Sequence, residues 1–130
     1  MSAIEDAVQR TAVAAHKRAH SEPIESIVGQ LRGLLTPKLV AYIGGVGETR
    51  ATRQWAEGQR KVSGTVEVRL RTALQAALIV SGAYDDRTAQ AWMQGIDPVP
   101  DDRSPASALR DGDDADRQAV VTSARRFAIQ

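Results

Sequence analysis

Val66, Leu70, Ala73, Leu74, Ala77 and Leu78 return at spacings of three and four residues, and Gly82 ends the run. That period lines one face of an α-helix with apolar side chains. An apolar stripe of this length has to be covered. A helix over 65–81 therefore requires a partner helix, from the same chain or from a second copy. No segment alternates apolar and polar residues for long, and β-branched clusters are few, so strands are not expected. The chain reads as all-α.

The remaining punctuation agrees. Ser2 and Glu5 have capping-box spacing ahead of a helix over about 3–20. Its apolar face is thin, mostly alanine with Ile4, Val8 and Val13, so it is expected as a loosely held arm. Pro23 opens a helix over about 23–35 with Ile24, Ile27, Val28, Leu31, Leu34 and Leu35 on one stripe. Thr36-Pro37 is an N-cap followed by proline at the first helical position. The short helix it starts carries Leu39, Val40 and Ile43 and stops at Gly44-Gly45. Another helix covers about 48–57, and 59–64 connects it to the long one. Asp85 or Asp86 caps a helix over about 87–94 with Ala89, Trp92 and Met93 inward. Residues 96–103, with Pro98 and Pro100, form a loop. Ser104-Pro105 opens a short helix that ends at Gly112. Asp113 or Asp114 caps the last helix, about 115–128, with Val120, Val121, Ala124 and Phe127 on one side. The division expected is an arm over 1–22, a helix-turn-helix over 23–61, and a dimerising, partner-binding unit over 65–130.

Composition narrows the class. Aromatic residues make up 4% of the 130 residues, so the core is built from Leu, Val, Ile and Ala. A modest core of this kind gains from association with another chain. There is no cysteine, which excludes disulfides and thiolate-bound zinc. No secretory leader and no segment near the roughly 20 apolar residues of a membrane span is apparent, so a cytoplasmic location is expected. Formal net charge is +1. It is unevenly placed, because 85–116 holds nine aspartates against three arginines. His16 and His20 have metal-ligand spacing but only Glu22 nearby, and a solvated face explains them better. Gly44-Gly45-x-Gly47 follows a helix rather than a strand, so a phosphate loop is not expected. No catalytic triad, metal or cofactor is expected.

Residues 36–58 read TPKLVAYIGGVGETRATRQWAEG. Two short helices joined through glycines form a helix-turn-helix pattern. Ala41 is small where the helices touch, Val46 plugs the turn, and Trp55 anchors the second helix. Thr49, Arg50, Arg53 and Gln54 then lie on the outer face. Arginine can read guanine and glutamine can read adenine, each through two hydrogen bonds. Arg60 and Lys61 follow as phosphate contacts. The alternative is an ordinary helical hairpin with solvated arginines. Four basic and two acidic groups over 48–61 make a single copy a weak DNA binder, so a dimer or a multi-copy complex is expected.

Residues 89–112 read AQAWMQGIDPVPDDRSPASALRDG. The order is Ala89-x-x-Trp92-Met93, a proline-bearing loop, Arg103-Ser104-Pro105, Ala108-Leu109 and Gly112, then a helix with Val120, Val121 and Ala124. This resembles the C-terminal toxin-binding domain of the Xre/MbcA/ParS antitoxins. With Trp55-Ala56-x-Gly58 closing the upstream unit, the similarity covers about 31–129. Asp97 stands where that family often has asparagine. The resemblance implies a type II antitoxin that catalyses nothing, binds a RES-domain toxin that degrades NAD, and covers its NAD pocket with C-terminal residues. In this chain that task falls on Arg125, Arg126, Phe127 and the carboxylate of Gln130, with Asp101, Asp102 and Arg103 at the rim. The alternative for these side chains is solvation for the arginines and packing within the chain for Phe127. Binding of its own operator DNA, and a homodimer through helix 65–81, complete the expectation. The rival is a helix-turn-helix repressor without a toxin partner.

Overall fold

In the computed structural model the described residues are 2–96 and 103–130, and they fold as an all-α protein. The helices are α1 (Ala3–Ser21), α2 (Ile24–Leu34), α3 (Pro37–Gly44), α4 (Thr49–Ala56), α5 (Gly64–Ala83), α6 (Asp86–Ala91), α7 (Pro105–Asp111) and α8 (Asp114–Ala128). Ser2, Thr36 and Ser104 cap as the sequence suggests, Asp85 and Asp113 are the capping members of their aspartate pairs, and Ser63 adds a cap in the expected connector. Ser2, Thr36, Ser63, Asp85, Ser104 and Asp113 each accept a hydrogen bond from a backbone N–H in the first turn that follows. Thr36 does so with φ at 146°, a strained backbone for a β-branched residue, directly before Pro37.

α5 is the axis of the molecule. α1, α2, α6 and α8 all pack on it. Leu70, Ala73, Leu74 and Ala77 of the predicted stripe are buried, and so are Ala76, Ile79 and Val80 outside it. The stripe that demanded a partner helix finds its partners inside the chain. Apart from Val68, α5 leaves no large apolar side chain exposed.

α1 departs from the expectation in the same direction. It is no loosely held arm. Val8, Ala12, Ala15 and Ala19 are buried along its length, Ala19 completely. They meet the alanine-rich surface of α5, and small side chains on both helices permit close approach. Gly82 shows how close, since a Cβ there would lie 2.9 Å from Thr11 Cγ2. Arg71 ties the far end by donating to the carbonyls of Ala19 at 2.9 Å and Glu22 at 2.7 Å. One cluster of buried apolar residues joins α1, the α2–α4 region and the C-terminal half.

The predicted helix 87–94 divides in two. α6 ends at Ala91, and Trp92–Ile96 widen into a π-type turn. Gly95 closes that turn at φ 127°, which only glycine adopts readily. The adjacent side chains of Trp92 and Met93 are both fully inside. The expected loop contacts Asp101 and Asp102, with Asp97, Pro98 and Pro100, lie outside the described residues.

Candidate partner-binding surfaces

α4 hides Ala51, Thr52 and Trp55. The Thr52 hydroxyl donates to the Thr49 carbonyl at 2.7 Å, so its buried oxygen is satisfied. This inward set forces Arg50, Arg53 and Glu57 outward, with Thr49 exposed beside them and Gln54 half-buried. Arg50 and Arg53 engage no other described residue. Gln54 holds the following turn, its carbonyl accepting from the backbone N–H groups of Gln59 and Arg60 at 2.9 and 3.3 Å. Arg60 is exposed with its guanidinium 5.8 Å from the Trp55 ring, and Lys61 is exposed next to it. Arg50 and Arg60 thus stand at opposite ends of an eight-residue helix about 12 Å long. Glu48 and Glu57 flank the same helix and lower the potential there.

The small residue against Trp55 is Gly44. A Cβ on it would lie 2.8 Å from the ring. Ala41 is buried as expected, and its carbonyl accepts from the Val46 N–H at 3.0 Å while Gly45 takes φ 76°. The α3–α4 unit is therefore rigid at its turn.

The C-terminal candidates separate into committed and uncommitted groups. Arg103 is committed to the fold. Its guanidinium lies 2.5 Å from Asp116 Oδ1, while Asp116 Oδ2 accepts from the Asp113 N–H at 2.9 Å. The Arg103 hydrogen bond first, and the Asp113 N–H second, hold the Asp116 carboxyl at about 2, below its ordinary 3.8. A carboxylate with a depressed pKa stabilises the fold above its unfolded pKa, and that contribution is lost as pH falls. Asp116→Asn is expected to be less stable than the native chain at pH 7. The gap should close between about pH 4 and pH 2, as checked by denaturant titration at each pH. A gap independent of pH would remove the Arg103–Asp116 pair from the account.

Phe127 is half-buried and packs edge-on against Tyr84 with ring centroids 5.4 Å apart. The Tyr84 hydroxyl donates toward the carbonyl oxygens of Phe127 and Gln130, each at 3.2 Å. Phe127 thus packs within the chain while its ring stays partly accessible. Arg125 donates to Gln9 of α1 at 2.5 Å. Arg126, Ile129 and Gln130 are exposed. The structure brings Arg125, Arg126 and Gln130 to one end of the molecule and sets Arg103 apart at the α7–α8 corner.

Sequence reasoning missed the contribution of α1. Its buried alanines gave too weak a hydropathy signal, yet they set its outer side next to α8. His16 and His20 lie there with ring centroids 4.2 Å apart. His20 Nδ1 is 2.8 Å from the His16 carbonyl, a contact that requires its proton and removes that nitrogen as a ligand. No cluster of three metal-ligating side chains occurs among the described residues, and no described helix is long and apolar enough to cross a membrane. Comparison with family models, curated proteins and solved structures finds no match for this chain.

Proposed function

We propose that the chain is a non-enzymatic antitoxin. It binds a RES-domain toxin through its C-terminal end, occludes the toxin's NAD site, and represses its own operon through the outer face of α4, acting as a dimer or as several copies in one complex. One observation carries the proposal. The described residues behind the resemblance have tasks in one packed unit. Ala89, Trp92 and Met93 are buried, Ser104 caps α7, Pro105 starts it, and Gly112 has no space for a side chain. Such a unit presents a preformed surface, which lowers the entropy lost on binding. Arg126, Ile129 and Gln130 are exposed at the end of the helix that follows.

The test co-expresses the chain with the product of its neighbouring gene and follows NAD. The native pair is expected to co-purify and leave NAD intact. Arg126→Glu with Ile129→Glu changes only exposed side chains, so the chain should still fold. It is expected to weaken the complex about tenfold or more and to release NAD turnover. Failure of the two proteins to associate, or a neighbour that consumes no NAD, would end the antitoxin proposal.

The free guanidiniums of Arg50 and Arg53 favour the second reading, a repressor without a toxin partner. Arg50→Ala with Arg53→Ala should lower affinity for the chain's own promoter by about tenfold or more and flatten the dependence on salt. Binding to promoter and random DNA with equal affinity, unchanged by these substitutions, would remove α4 from DNA recognition.

A further inference from the structure

α1 and α8 both run along α5 but barely touch each other, and a groove separates them. It consists of three spaces of about 230, 380 and 200 Å³. The first and second share Gln9 and Arg125, whose hydrogen bond crosses from α1 to α8, and the first and third share His16, Gln75 and Val121, so the three spaces lie end to end. Its floor is apolar, formed by the nearly buried Val8, Ala12 and Ile79. Three of the protein's exposed large apolar side chains lie along it: Val13 at 60%, Val68 at 45% and Ile129 at 43%. The α8 wall is a 15-residue helix, about 22 Å long, or some four helical turns.

The charges along the groove specify its occupant. Asp114 at one end pairs with Arg117. At the other end stand Arg125 and Arg126, with Glu5 lining the same space. Among the described residues Arg125 meets the neutral Gln9, and Arg126 engages none. Cations of this kind beside an apolar floor attract a carboxylate that arrives on an apolar surface. An amphipathic helix supplies both, with anchors every three or four residues and acids in its last turn.

We propose that the α1–α8 groove is a docking site for an acidic amphipathic helix of a protein partner, its carboxylates meeting Arg125 and Arg126. The inference goes beyond the antitoxin proposal and does not require the partner to be a toxin.

The experiment pans the full chain against a phage-displayed library of four-turn amphipathic helices with randomised charge. Recovered helices should carry Asp or Glu in the turn that meets Arg125. Val13→Asp and Arg125→Glu should each weaken their binding at least about tenfold, while the exposed Arg87→Ala should not. Val13 and Arg125 are exposed, so both variants should keep the native melting temperature. An Arg in place of the helix's acid should restore binding to Arg125→Glu. No enrichment, recovery of neutral or basic helices, or binding indifferent to both substitutions overturns the proposal. Concentration-dependent self-association of the native chain, abolished by the same substitutions, would also overturn it, by assigning the groove to a second copy.

Discussion

Trp92→Ala is expected to cost about 3–5 kcal/mol, the largest single loss in the core. Trp92 heads the largest fully buried side chains, and it sits on the widened turn that joins α6 to the rest of the C-terminal half. Truncation removes its transfer free energy and leaves a cavity whose walls include helices fixed by their own caps. Collapse around the site is thereby limited. The melting temperature should fall on the order of 15 °C. Trp92→Phe retains most of the volume and should cost clearly less, the more so because the indole Nε1 finds no acceptor among the described residues. Thermal and denaturant unfolding of the two variants side by side measures this. Equal losses for both would place the energy in a hydrogen bond instead of packing.

The second large effect is expected at Gly112, which has an ordinary φ of −92° and is not conformationally special. The constraint is space. An added Cβ would collide with the Ala108 carbonyl and lie 2.5 Å from both Cβ and Oδ2 of Asp116. The carbonyl is backbone, already accepting the Gly112 N–H at 2.9 Å, and cannot swing aside. Asp116 cannot move without releasing both Arg103 and the Asp113 N–H. Gly112→Ala should therefore cost about 3 kcal/mol, the upper part of the usual range for overpacking. It should also couple to its neighbour. In a double-mutant cycle, Gly112→Ala and Asp116→Asn should together cost less than the sum of the single losses, because each breaks the same corner. Strict additivity would mean that the corner does not act as a unit.

The same corner shows how far the sequence could be read. Ser104-Pro105 and Asp113 marked both helix starts, because capping is a local interaction whose partners lie three residues away. Gly112 marked the stop between them. That Arg103 reaches across to Asp116, thirteen residues on, was not legible. The pairing depends on how α7 and α8 are set against each other. Arg103, which the resemblance puts at the rim, thus also has a task within the fold. Phe127 has one for a similar reason: Tyr84, which receives it, belongs to the end of a different helix.

Sequence by itself determined the order of the helices, most of their caps, and which face of α4 looks outward. These follow from period, proline, glycine and short polar side chains, all of which act within one or two turns. Only the tertiary structure decided what each helix packs against. α5 has more than one buried face, and its partners come from both ends of the chain, so a stripe that fitted a dimer was filled from within. α1 has almost no hydropathic signature, because alanine contributes little area. Its attachment rests on how closely two alanine-rich surfaces approach. That approach is a property of the assembled pair and is written in neither helix alone.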